Sequence, residues 1–195
     1  MRIKSLVSVA LLLVAILAQS AFAADWNVDK AHSYVYFDVK HILSTVRGSF
    51  TEFDVNISLD PDKPEQGKVM MTIKTASINT GITKRDNHLR SGDFFDANAY
   101  PEMTFVSTGI KRTDETMLLV SGDLTIKGKT HAVTIPMEIT GVVDNPLKEG
   151  QSVAGFDSRF TIDRLAYGVG TGKFYELGVV GKEVEVFVTI EALSD

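Results

Sequence analysis

The sequence predicts an all-β protein, an antiparallel sheet with one apolar face that either closes into a barrel or stacks as a two-sheet sandwich. Three observations lead there. Apolar and polar residues alternate with period two in about eight separate runs. Short turn signals separate most of these runs. No repeating strand–helix pattern occurs, which argues against a doubly wound parallel sheet.

The chain opens on a segment of another kind. Arg2 and Lys4 give a positive start, Leu6 to Leu17 is an apolar run broken only by Ser8, and Ala21-Phe22-Ala23 fits a small-x-small cleavage site. Residues 1–23 therefore read as a secretory signal peptide, since the run is too short for the roughly 20 residues of a membrane span. Removing them takes two positive charges from the 20 Lys+Arg set against 25 Asp+Glu, leaving 18 against 25 and a formal charge of −7. That balance argues against a general nucleic-acid binder and against a polybasic membrane-surface protein. Residues 24–195 are the length of one domain. The chain has no Cys, so thiolate metal sites, Cys nucleophiles and a lipid anchor on Cys are excluded, and the core must hold the domain without disulfides. A periplasmic protein released by leader cleavage is expected.

Along the mature chain, Val35, Phe37 and Val39 alternate with Tyr36, Asp38 and Lys40. Phe53, Val55, Ile57 and Leu59 form the next run, followed by Val69, Met71 and Ile73. Met103 and Phe105 begin another. Leu118 and Val120 continue into Leu124 and Ile126. Val133, Ile135, Met137 and Ile139 come next, then Phe156, Phe160 and Ile162. Val184, Val186, Val188 and Ile190 close the series. Such runs are apolar on one side and mostly polar on the other. Asp60-Pro61-Asp62-Lys63-Pro64, Lys111-Arg112-Thr113-Asp114, Lys127-Gly128-Lys129 and Asp144-Asn145-Pro146 read as turns. Thr83 to Tyr100 breaks the pattern. It is dense in charge, and one or two helical turns followed by a loop are expected, with Asp86 and Arg90 paired four apart and Pro101 ending the segment. Such interruptions often carry binding residues.

Catalytic and metal motifs are weak. His32, His41, His88 and His131 lie on four segments without metal-ligand spacing, and no metal or cofactor is expected. No G-x-S-x-G elbow occurs, and Asp93 and Asp96 are explained by turn chemistry as well as by glycosidase chemistry. Gly122 to Thr130 has five residues between its glycines where a phosphate loop has four. Neither it nor Gly168-Val-Gly170-Thr-Gly172 is expected to lead into a helix, so nucleotide binding is not expected. Lys84, Arg85, His88 and Arg90 stand out in an acidic chain. They either pair with Asp86, Asp93 and Asp96 or form an anion site at a barrel mouth.

Several ordered motifs carry a family resemblance. They are Trp26-x-Val28-Asp29-x-x-His32-Ser33, Gly48-x-Phe50-x-x-Phe53, Arg85-Asp86-x-His88-Leu89-Arg90-Ser91-x-Asp93-Phe94-Phe95-Asp96, Tyr100-Pro101, Gly122-Asp123-Leu124-Thr125-Ile126-x-Gly128 and Ile162-Asp163-Arg164. From Trp26 to about Ala192 the chain resembles the YceI-like family of exported lipid- and polyisoprenoid-binding proteins. Lys129-Thr130-His131 departs from the family's more usual hydrophobic residue or proline.

The resemblance implies a lipocalin-like eight-stranded antiparallel β-barrel with a short helical insertion. It also implies an apolar tunnel for a polyisoprenoid, an isoprenoid quinone tail or a fatty amide. Family members are not established enzymes, and some are tied to stress responses. On that reading Val35, Phe37, Phe53, Val55, Met71, Met103, Phe105, Phe156 and Phe160 line the tunnel, and Arg85, His88 and Arg90 meet the head group. The expected partner is a long-chain isoprenoid or other amphipathic lipid. A homodimer through outward Tyr36 and Phe187 is a further expectation. An enzyme acting on such a lipid, or a ligand-free structural module, are the alternatives.

Overall fold

The structure, a computed structural model, describes residues 25–170 and 172–194; the expected signal peptide lies outside the described residues. Eleven strands form one antiparallel sheet among these residues: β1 (Asp25–Val28), β2 (Tyr34–His41), β3 (Ser44–Phe50), β4 (Phe53–Ser58), β5 (Lys68–Lys74), β6 (Ile78–Asn79), β7 (Glu102–Arg112), β8 (Met117–Ile126), β9 (Lys129–Asp144), β10 (Ser152–Asp163) and β11 (Val180–Ser194). Two helices, α1 (Thr83–Arg90) and α2 (Gly172–Glu176), interrupt it. Eight strands close a ring in the order β1-β4-β5-β7-β8-β9-β10-β11, with β11 returning to β1. The choice between barrel and sandwich is thus resolved as a closed barrel, which leaves no free edge in the ring.

The closure uses β11 twice. Its last residues pair with β1, Val28 opposite Ala192, while its first two-thirds pair with β2, Val188 opposite Val35. β1 and β2 thus behave as one long edge interrupted by the turn at Asp29–Ser33. β3 and β6 then extend the sheet beyond β2. These short strands, like β1, are ones that alternation did not reveal. β3, Ser44-Thr-Val-Arg-Gly-Ser-Phe50, has apolar side chains only at Val46 and Phe50.

Glycine explains part of that weak signal. A Cβ on Gly48 would lie 2.3 Å from Cζ of Phe37, and a Cβ on Gly122 would lie 2.6 Å from Cζ of Phe105 and 2.5 Å from the Val106 carbonyl oxygen. In both strands an aromatic ring lies across the space that a side chain would fill. Gly122→Ala is therefore expected to cost about 1–3 kcal/mol through overpacking against backbone, read as a lower urea midpoint with an unchanged slope.

The turn that interrupts the long edge holds an ion pair. Nδ1 of His32 donates to Oδ2 of Asp29 at 2.8 Å, with Glu191 Oε1 3.8 Å away. The hydrogen bond to Asp29, helped by that residue's charge and that of Glu191, raises the pKa of His32 above its ordinary 6.5. The same bond, with that from the Ala31 amide, lowers Asp29 below 3.8. His32 therefore adds stability that is complete below pH 6.5 and fades as pH rises through its raised value. Asp29 adds stability that is complete above pH 3.8 and fades as pH falls through its lowered value. In an NMR titration the His32 midpoint should move back toward its ordinary value in Asp29→Asn.

Inward side chains fill the barrel unevenly. At the end reached by the β4–β5, β7–β8 and β9–β10 turns, Trp26, Leu59, Leu118, Ile139, Ala154 and Ala192 are buried and packed together. Nε1 of Trp26 donates to the Leu59 carbonyl at 2.9 Å, and its ring meets Phe156 edge-on. That end is a solid plug, and the space beyond it is not filled.

Candidate functional site

Above the plug lies a chamber with about 200 Å³ of room for the centre of a water-sized sphere. One water needs about 10–15 Å³ by that measure, so the core is hollow. The wall repeats the alternation of the strands. Val55 and Ile57 of β4, Val69, Met71 and Ile73 of β5, Met103 and Phe105 of β7, and Val120, Leu124 and Ile126 of β8 supply one side. Ile135 and Met137, then Phe156, Phe160 and Ile162, then Val184, Val186, Val188 and Ile190, then Val35, Phe37 and Val39 complete the circle. Of the nine residues expected to line a tunnel, eight stand on this wall: Val35, Phe37, Val55, Met71, Met103, Phe105, Phe156 and Phe160. Phe53 does not. It opens β4 opposite Ile73 and packs into the core cluster, while Ile73 takes the wall position.

The other end of the chamber is roofed by two loops. α1 and the turns after it supply Leu89, Phe94 and Phe95, and the β10–β11 connection supplies Arg164, Tyr167 and Val169. Phe94 stacks on Phe174 of α2 at 5.5 Å, and Phe95 meets Phe50 edge-on at 5.8 Å. This roof was not singled out from the sequence; the Phe94-Phe95 pair within a charged segment is the one sign that could have pointed to it.

The basic cluster is not aimed at the chamber. Arg85 donates through Nε to Oγ1 of Thr80 and through Nη2 to the Thr80 carbonyl, both at 2.7 Å. Arg90 donates to the carbonyls of Ala76 and Ile78, both at 2.7 Å, and to Oδ1 of Asn87. Asp86 is buried and accepts from the Thr80 amide and hydroxyl rather than from Arg90. His88 lies 3.1 Å from Oδ2 of Asp93 and edge-on to Phe94. Neither Arg85, His88 nor Arg90 is among the residues that line the cavity, and the hydrogen bonds they make lie around α1. α1 is a two-turn helix with no side-chain cap, and these groups strap it to the chain entering it. Arg90→Ala leaves two carbonyls without their donor and is expected to cost about 1–3 kcal/mol; an exposed neighbour, Lys84→Ala, should leave the urea midpoint unchanged.

The cation that does face the chamber is Arg164, which is almost fully buried. Nε donates to the Gly181 carbonyl at 2.7 Å, Nη1 to Val169 at 2.8 Å and Nη2 to Val180 at 3.0 Å. Burial pulls its pKa below the usual Arg value, with the Asp163 charge opposing, yet a guanidinium stays protonated. A guanidinium has five N–H groups, so each Nη keeps one beyond these bonds. Tyr167 also lines the chamber, its phenol pKa raised by burial, and Oγ of Ser158 on the wall is committed to the Pro136 carbonyl at 2.7 Å. The chamber is thus apolar along most of its wall, with its charge at the roof. Sequence reading missed Arg164 because an isolated Arg after a strand carries no local sign of burial.

Outside the wall, Tyr34 and Tyr36 stack at 5.5 Å, Tyr36 and Phe187 stack at 6.3 Å, and the Arg159 guanidinium sits 3.8 Å over Phe187. These outward aromatics are partnered within the chain.

A closed antiparallel barrel around one apolar chamber, plugged at one end and roofed by loops at the other, defines the class of small β-barrels with an internal chamber. Within that class the chain belongs to the YceI-like domain family, whose model matches residues 26–192. Protein YceI of Escherichia coli O6:H1 is 37% identical over 180 residues, covering 91% of each chain. The crystal structure of BcnA from Burkholderia cenocepacia shares 33% identity at a TM-score of 0.75, covering 87% of this chain and all of that one. A polyisoprenoid binding domain from Saccharophagus degradans has a similar fold at 16% identity, with a TM-score of 0.63 and coverage of 89% of this chain and 99% of that one.

Proposed function

We propose that this protein is a non-enzymatic carrier that holds one long-chain amphipathic lipid in the barrel, its hydrocarbon along the wall and its polar head under the roof. The observation that carries the reading is the hollow apolar chamber. Each CH₂ moved from water into such a wall gains roughly 0.8 kcal/mol, and a chain of many such groups cannot cross an aqueous compartment unaided. An empty core of this size would otherwise cost stability. Arg164 and Tyr167 offer N–H and O–H donors to a carbonyl, hydroxyl or phosphate head. That chemistry suits an isoprenoid quinone, a polyprenyl alcohol or phosphate, or a fatty amide. The Saccharophagus polyisoprenoid binding domain shares this fold, and the wall carries the argument for the ligand class.

Carriage explains the apolar wall without invoking a reaction. The leader-like first 23 residues support export, and we take the periplasm as the working compartment. The test is organic extraction of the purified protein followed by mass identification. One lipid with a long apolar chain, present near one equivalent and recovered chemically unchanged after incubation, is expected. Protein without lipid mass, or lipid converted during incubation, would overturn the carrier reading.

A further inference from the structure

We propose that the roofed end of the barrel docks on an anionic lipid bilayer, with Ile42, Leu43, Tyr175 and Leu177 entering its interface. The proposal rests on the lipid-cargo reading and adds the partner from which cargo is taken.

Two turns stand side by side at this end. The β2–β3 turn carries Ile42 and Leu43, and the turn after α2 carries Leu177. The Ile42 amide donates to the Val179 carbonyl at 3.0 Å, and His41 pairs with Val180. Leu43 is 89% exposed and Leu177 65% exposed, with Tyr175 on α2 also exposed. Ile42 is held at φ +50°, a left-handed conformation that a β-branched residue adopts with strain and that Asn or Gly would take freely. The fold alone does not ask for isoleucine there. Directly below, Val39 and Val180 belong to the chamber wall.

Exposed apolar residues also occur at the plugged end, at Val143 and Leu147, so exposure does not choose between the ends; charge and the chamber do. The plugged end's turns carry Asp60, Asp62, Glu65, Asp114, Glu115 and Glu149, against fewer cations. The roofed end's turns and adjoining strand ends carry Lys40, Lys84, Lys127, Lys129 and Lys173, diluted by Glu52, Asp93, Asp96 and Glu176. An acidic protein thus turns its most basic pole, tipped with aliphatic side chains, in the direction of the roof. That combination suits an anionic membrane surface. Two copies meeting roof to roof would set these cations against each other.

The test is flotation of the purified protein with vesicles of phosphatidylglycerol and phosphatidylethanolamine. The protein should float with them, and less with pure phosphatidylcholine or in high salt. Leu43→Asp combined with Leu177→Asp should lower the partition by at least about tenfold, while Leu147→Asp at the opposite end should leave it unchanged. Circular dichroism on each variant confirms folding. No flotation, equal flotation of the double variant, or equal loss in Leu147→Asp would overturn the proposal. Extraction of the same preparations separates the two readings. Docking by protein that carries no lipid defeats the cargo and leaves docking standing, and cargo in protein that does not float does the reverse.

Discussion

Val186→Trp is expected to cut lipid loading by about tenfold or more while the barrel stays folded. Val186 projects into the chamber from the middle of β11 between Val184 and Val188. An indole there occupies room that cargo would use. Displacing only two chain CH₂ groups, at roughly 0.8 kcal/mol each, exceeds the 1.4 kcal/mol that corresponds to a factor of ten. The substitution is tolerable because the space is open. In a filled core the same change would cost about 1–3 kcal/mol. Glu185→Trp is the matched control, since its exposed side chain points to the other face of the strand. Quantified lipid per mole of each purified variant reads the result. Equal loading of wild type and Val186→Trp would remove the chamber from the account.

Arg164→Ala is expected to have the largest effect on stability, about 3 kcal/mol or more. Three backbone carbonyls, of Val169, Val180 and Gly181, lose their donor together, and a buried group left unsatisfied costs about 1–3 kcal/mol. The loss concentrates on the roof, because one side chain ties the 165–170 loop to the start of β11. Hydrogen exchange at 165–170 should therefore rise more than exchange in β8 and β9, alongside the lower urea midpoint. Arg164→Lys should recover part of the loss, since an ammonium can still donate to the carbonyls but lacks the planar fork. If Arg164→Ala unfolds at the wild-type midpoint, water satisfies the carbonyls and Arg164 is not the tie described.

Much of the fold was legible because an antiparallel barrel writes itself as alternation. Seven of the eight runs read from the sequence are ring strands, and the eighth, β2, lies beside β11. The strand that completes the ring, β1, is four residues long, too short to show a period. β3 was hidden by Gly48 and by its Thr, Arg and Ser residues. Choosing a barrel over a sandwich depends on which strands meet at closure, and period two carries no information about that. For the wall, the same parity that marks a core position marks a cavity position, which is why eight of nine chosen residues stand on it and why Phe53, of equal parity, does not. The head-group expectation rested on charge. Arg85 and Arg90 lie in a conspicuous cluster, yet their hydrogen bonds are spent on nearby carbonyls and a hydroxyl. Arg164 has no cationic neighbour in sequence and becomes visible only when β10 and β11 bring three carbonyls around it.

The central claim is that a hydrocarbon chain lies inside this barrel. Methyl-labelled protein, stripped of lipid and titrated with a long-chain isoprenoid alcohol, tests it most directly through intermolecular nuclear Overhauser effects. Cross-peaks from the prenyl methyls to Val120, Val186 and Ile190, which all line the chamber, are predicted. Cross-peaks confined to exposed Val142, Val143 and Leu147, with none to the interior methyls, would contradict it.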